Sequence, residues 1–147
     1  MNTNENLKAS GSLRVVVTDK NGQVKEEHYF KNLVVTVGKN FVASRMVGVV
    51  DNIMSNMAIG SGTAAASAGD TTLGTELGRV ALASGTAAAA IVTYTANFPA
   101  GTGTGAVTEA GIFNAASAGT MLCRTVFSVV NKGANDAMSV TWTITIS

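Results

Sequence analysis

Charge, cysteine, histidine and proline are all scarce in this chain of 147 residues. Only 13% of them are charged, and there is one cysteine, one histidine and one proline. With a formal net charge of +1, the field that draws a protein to nucleic acid or to an anionic membrane is missing, so neither is an expected partner. Cys123 stands alone, which excludes an intrachain disulfide and fits synthesis in a reducing cytoplasm. The longest apolar run, from Ala87 to Val92, is far too short for a helix to cross a bilayer, and the N-terminus has no basic-plus-apolar export signal.

The same scarcities limit chemistry. His28 lies in Lys25-Glu-Glu-His-Tyr-Phe30, reads as a surface strand residue, and has no serine elbow to serve. Cys123 sits in the apolar stretch Met121-Leu-Cys-Arg-Thr-Val-Phe127 with no basic pair to activate it. Zinc requires several Cys or His ligands at short spacing, whereas the one of each here are 95 positions apart. Asp19 and Asn21 resemble the start of a calcium loop, but the acidic ligands that should follow are absent and a hairpin turn accounts for them more simply. Gly101-Thr-Gly103-Thr-Gly105-Ala106 matches a dinucleotide fingerprint by spacing, yet a β-like segment rather than a helix follows it. No metal, cofactor, small-molecule substrate or catalytic residue is expected.

What is present is β character. Leu13 to Thr18 and Gln23 to Phe30 flank Asp19-Lys-Asn-Gly22, a hairpin signal. Leu33 to Val37, Asn56 to Gly60, Thr75 to Ser84, Ile91 to Phe98, Val107 to Asn114 and Met121 to Val130 read as further strands. Met138, Val140, Trp142, Ile144 and Ile146 alternate with Ser and Thr, the pattern of a strand with one buried and one wet face. Phe41, Val42, Arg45, Met46 and Val49 fall at helical spacing, which predicts one helix over residues 39–50 with an apolar stripe on one side. The expected fold is mainly β: an antiparallel sandwich or jelly-roll-like barrel with one short helix, forming a single domain over residues 13–147 behind a flexible arm of residues 1–12.

Charge is unevenly spread. Seven of the ten Lys/Arg and four of the nine Asp/Glu lie in residues 1–45, leaving eight charges for everything after Arg45. Soluble surfaces are ordinarily about 25–35% charged, so a region this depleted is either extensively buried or covered by neighbouring subunits. Four isolated charges on predicted strands stand out: Glu76, Arg79, Glu109 and Arg124. Charges in apolar surroundings persist by pairing, so Glu109 is expected to pair with Arg124, while Glu76 or Arg79 joins them or meets a second subunit. A lysozyme-like use of Glu76 and Glu109 is the enzymatic alternative. A lectin would need Trp142 or Tyr94 as an exposed platform, and Trp142 falls on the apolar face. Two Gly-rich loops are candidate contact elements: Gly60, Ser61, Gly62 and Gly69 in the first, Gly101, Gly103 and Gly105 in the second.

Taken together, Met57-Ala-Ile-Gly-Ser-Gly-Thr63, Asp70 with Leu73, Glu76 and Arg79, Thr108-Glu-Ala-Gly-Ile-Phe-Asn114, Gly119-Thr-Met-Leu122, and Arg124 with Phe127 form a pattern that resembles the N-terminal attachment domain of tailed-bacteriophage tail fibres. It is more closely similar to small stand-alone phage virion proteins. The resemblance implies a structural, non-enzymatic homo-oligomer in the virion, made in the bacterial host cytoplasm. A fibre continues into a long shaft and receptor-binding tip, whereas this chain ends at Ser147 directly after a regular strand. The implied role is therefore a capsid decoration or cement protein on the major capsid protein, with a tail adaptor or a tail-fibre and baseplate attachment protein as the alternative.

Overall fold

The computed structural model describes residues 5–147. Nine antiparallel strands form one curled sheet, a half-barrel. In chain order they are β1 (Ala9–Thr18), β2 (Val24–Val34), β3 (Asn56–Gly60), β4 (Glu76–Ala81), β5 (Ser84–Ala88), β6 (Ile91–Phe98), β7 (Gly105–Phe113), β8 (Met121–Lys132) and β9 (Ala137–Ile146). The single helix, α1 (Thr36–Met46), follows β2. Strands run across the sheet in the order β4-β3-β7-β8-β2-β1-β9-β6-β5. The mainly β, barrel-like fold with one helix is thus present, as a single continuous sheet.

The curl encloses the main core. Leu13, Val15 and Val17 of β1, Met138, Val140, Trp142 and Ile144 of β9, Phe98 of β6, and Ala110 and Ile112 of β7 all point into it. Period-two alternation is what delivers them: along β9 every second residue from Met138 to Ile144 is buried. The β1–β2 hairpin turns as Asp19 accepts the amides of Asn21 and Gln23 on one carboxylate oxygen, with Gly22 at φ 77°. Only Gly22, and not Asn21, takes the positive φ expected of the pair, because one bulged register shift next to the turn supplies the remaining twist.

β2 joins the two halves of the sheet. It pairs with β1 along most of its length but with β8 only at Leu33↔Arg124 and Val34↔Cys123. Beyond those pairs the strands splay, and stacked rings of Phe30 and Phe127, 4.3 Å apart, fill the opening. A second, smaller core lies on the outer side of β3, β7 and β8, where Val35, Ala58, Leu73, Phe113 and Met121 pack together.

Several sequence expectations need correction. Residues 9–12 are not an arm: Gly11 pairs with Asn32 and Ile144, and Lys8 and Ser147 exchange backbone hydrogen bonds. Residues 1–4 of that expected arm lie outside the described residues. Leu33 and Val34 continue β2 instead of opening a new strand, and the expected Thr75 to Ser84 strand ends at Ala81 as β4, while Ser84 already opens β5 at the opposite end of the sheet.

The helix begins three residues early, and of its apolar stripe Phe41 is covered while the rest is left to solvent. Met46, Val49 and Val50 are exposed, Val50 at 98%. Docking is confined to the first two turns, where Gly38 lies directly against the Leu122 backbone and Phe41 packs on the main core. The helix then projects, and the chain turns back as Arg45 donates to the carbonyls of Val49 and Asp51.

Gly38 has no room for a side chain, because its neighbour is main chain that cannot rotate away. We expect Gly38→Ala to cost about 1–3 kcal/mol through overpacking, seen as a lower urea midpoint, while Val42→Ala, on a 39% exposed residue, moves the midpoint far less.

Candidate functional site

The densest polar arrangement in the molecule is on the outer face of β7 and β8, and it is built from sequence register. Gly111 lies opposite Arg124 and Glu109 opposite Val126, so Glu109 and Arg124 are diagonal neighbours on one face of adjacent strands. Their inward-facing neighbours, Ala110, Ile112 and Cys123, belong to the main core. The Cys123 thiol is fully buried there, and burial pushes its pKa far up, away from the reactive thiolate.

Glu109 is wholly buried, and its carboxylate accepts five hydrogen bonds. Oε1 takes the amides of Gly62 (2.9 Å) and Thr75 (2.7 Å). Oε2 takes the amide of Gly74 (2.8 Å) and Arg124 Nε (3.1 Å) and Nη2 (2.8 Å). Burial alone would raise the Glu109 pKa, but the three backbone amides and Arg124 outweigh it and hold the group below the ordinary carboxylate value. Arg124 loses hydration as well, yet its bonds to Glu109 and Asp70 keep its pKa raised.

Arg124 extends the network outward. Nη1 donates to Asp70 Oδ2 (2.8 Å) and Nη2 to the Ala64 carbonyl (3.1 Å). Asp70 Oδ2 also accepts the Ser67 amide, and Thr108 Oγ1 donates to the Gly62 carbonyl. The whole segment from Gly62 to Thr75 is thereby strapped over the outer core. Its glycines serve close approach: a Cβ on Gly62 would lie 2.6 Å from Glu109 Oε1, and one on Gly74 3.2 Å from the Gly62 Cα.

A second anchor sits on β4, two strands from β7. Arg79 on β4 forks onto Glu76 through Nε (3.2 Å) and Nη2 (2.7 Å). Its guanidinium lies over the Phe113 ring at 3.9 Å, and Nη1 donates to the carbonyls of Ala115 and Ala118 in the β7–β8 turn. Asn114 closes that turn by accepting the Thr120 amide at 2.7 Å, and reaches Asn52 and Asp51 with its Nδ2. Every polar residue of Thr108-Glu-Ala-Gly-Ile-Phe-Asn114 therefore has a partner that ties down another segment.

Of the four singled-out charges, the structure brings Glu109 and Arg124 together and pairs Glu76 with Arg79, as two separate anchors. The candidate contact glycines are more constrained than expected. Gly60 ends β3 and is buried, Gly62 touches Glu109, Gly103 is buried beside Ile59, and Gly105 opens β7. Ser61 is half-buried and its amide donates to the Thr75 carbonyl. Only Gly69 and Gly101 face open space.

Sequence reasoning missed a third anchor. Lys132, 1% exposed, donates to the carbonyls of Pro99 (2.9 Å) and Asp136 (2.7 Å), and burial lowers its pKa. Asp136 in turn accepts Lys25 Nζ and the Gly133 amide, contacts that lower its own pKa. The available signal was a lysine ending an apolar strand four residues before an aspartate.

No protein-family model matches this chain, and neither the curated proteins nor the solved structures give a match.

Two outcomes follow for the Glu109 anchor. Glu109→Gln, which leaves Arg124 buried without its counter-charge, is expected to cost about 3–5 kcal/mol, and the amides of Gly62, Gly74 and Thr75 should exchange with deuterium faster than the rest of the sheet. Because the folded pKa is depressed, the carboxylate's contribution is complete above about pH 4.3, the unfolded glutamate value. It is lost as the pH falls through the lower folded value. Acid titration of stability should show that loss in the wild type and a flatter profile in Glu109→Gln.

Proposed function

We propose that this protein is a structural subunit of a tailed-bacteriophage virion, acting as a capsid decoration protein that stabilises the head through contacts between subunits. The observation that carries the reading is where the charges are. Of the eight charged residues after Arg45, Glu109, Arg124, Lys132 and Asp136 are buried. Arg79 and Glu76 bond to each other, and Asp70 bonds to Arg124. Asp136 pairs with Lys25, and Lys132 donates to the backbone carbonyls of Pro99 and Asp136; among the described residues Asp51 is the member of this set with neither an ion pair nor a buried anchor.

The surface that two thirds of the chain presents is consequently neutral, built of Ala, Gly, Ser and Thr. Exposed charge is concentrated in the first 45 residues, on Arg14, Lys20, Lys25, Glu27 and Lys31 of the β1–β2 hairpin and on Lys8, Lys39 and Arg45, whereas after Arg45 only Asp51 and Glu76 are exposed. Added to this is a ridge of exposed apolar side chains, Met46, Val47, Val49, Val50 and Ile53, of the kind that marks protein contact surfaces. A neutral surface with an apolar ridge is costly to leave in water and suited to burial by neighbours in a lattice, where many modest contacts add.

The anchors support a mechanical role. Glu109 is kept ionised by five donors, which suits it to holding a strap in place and not to exchanging protons. The resemblance of the Thr108 to Asn114 element and its surroundings to phage attachment domains supplies the class of particle, and the neutral surface of the single compact sheet favours a decoration subunit.

Counting the subunit in purified particles by gel densitometry, with antibody labelling in electron micrographs, tests this. Hundreds of copies on the head are expected, and particles lacking the subunit should lose heads at a lower temperature. Three, six or twelve copies at the tail would assign it to the adaptor role instead, and its absence from particles would overturn the proposal.

A further inference from the structure

The sheet has two terminal strands, and they are treated differently. β4 is covered: Gly78 lies so close to the β6–β7 loop that a Cβ there would sit 2.8 Å from the Gly103 nitrogen, with Thr102 Cγ2 at 3.2 Å. It also carries the Glu76 and Arg79 pair. β5 has no such protection. All five of its residues are exposed, and its pairing with β6 runs from Ser84↔Thr95 to Ala88↔Ile91 without a bulge. Among the described residues, the backbone of 84–88 has no hydrogen-bonding partner beyond β6.

Solvent-exposed edges in monomeric proteins are ordinarily blunted by lysine, proline, a bulge or a covering segment, since an open row of N–H and C=O groups is a template for another strand. β5, Ser84-Gly-Thr-Ala-Ala88, has none of these, and no charged residue occurs anywhere from Val80 to Thr108. Two inner strands also have an open side where they splay apart: β2 is guarded there by Lys25, Glu26, Glu27 and Lys31, and on β8 the stacked rings of Phe127 and Phe30 occupy the opening.

We propose that β5 is a self-pairing edge, which takes the β5 strand of a second copy of this chain in antiparallel register about a two-fold axis, so that one sheet runs through both copies. Three features select a second copy as the occupant. An antiparallel two-fold presents the edge's own donors to its own acceptors, so a single sequence satisfies both sides. The strand and its surroundings are uncharged, so two identical surfaces meet without repulsion. Side chains no larger than threonine on either face leave nothing to obstruct the approach of an identical strand. With only five residues a side, the contact is weak in dilute solution and gains strength when a lattice concentrates the subunits. The inference concerns the isolated chain and does not depend on the virion reading.

Sedimentation velocity on the purified full chain, over a rising concentration series, tests it. The mass is expected to climb from 14.9 kDa toward twice that value, with amide exchange at residues 84–88 slowing as concentration rises. Thr86→Lys, which places a charge on the exposed edge, should hold the chain at monomer mass with an unchanged melting temperature. Val50→Asp on the apolar ridge should leave self-association intact. A wild type that stays monomeric at every concentration, or one that associates without protection of residues 84–88, would overturn the proposal. So would an association abolished by Val50→Asp and untouched by Thr86→Lys.

Discussion

A carboxylate taken fully out of water must be repaid in hydrogen bonds or it will not stay ionised. Glu109 meets that requirement with five donors, and the geometry around it follows from the need to deliver them. Three are backbone amides from one long segment, those of Gly62, Gly74 and Thr75. That segment can come close enough only if its own side chains are absent at the contact, hence glycine at 60, 62 and 74. The other two are from Arg124, whose remaining hydrogens hold Asp70 and Ala64 and so fix the middle of the same segment. A stretch that would otherwise be an unstructured loop becomes a lid over Leu73, Phe113 and Met121, a second core on a sheet face that would lie open to solvent.

The same economy sets the character of the surface. Charges in the second part of the chain are used internally, at Glu109 with Arg124, at Arg79 with Glu76 and the β7–β8 turn, and at Lys132 with Pro99 and Asp136. Each anchor joins segments that are distant in sequence. Because the charges are used this way, the outside of this part is left largely to small neutral side chains, and most of the exposed charge lies in the first 45 residues. One allocation thus accounts both for how a curled sheet with long connections holds its shape and for why so much of its exterior suits contact with other protein.

Elements whose pattern reflects burial alone were legible in the sequence. The alternation from Met138 to Ile146, the β1–β2 hairpin and the five residues of β3 appear in the structure where the residues place them. The Glu109 and Arg124 pair was legible for a related reason, since two lone opposite charges on neighbouring apolar strands have few other options. The helix misled, because spacing reports which residues could share a face and not where the helix ends or what covers it; Met46 is its last residue, Val49 lies beyond it, and both are exposed. β5 was missed because Ser-Gly-Thr-Ala-Ala has no apolar alternation to detect. The glycines of the 60–75 segment were read as adaptability when they serve close packing against a carboxylate, a distinction that depends on a partner about 35–47 residues away. The Lys132 and Asp136 anchor was missed for the same reason, since Pro99 and Lys25 lie 33 and 111 residues away from them in sequence.

The central claim is that Glu109 and Arg124 act as one unit that holds the 62–75 strap, and a double-mutant cycle measures that most directly. Unfolding free energies of the wild type, Glu109→Gln, Arg124→Met and the double variant give the coupling between the two side chains. A coupling of about 2 kcal/mol or more, with the double variant little worse than either single one, is the predicted result. Losses that simply add, within about 0.5 kcal/mol, would contradict the account.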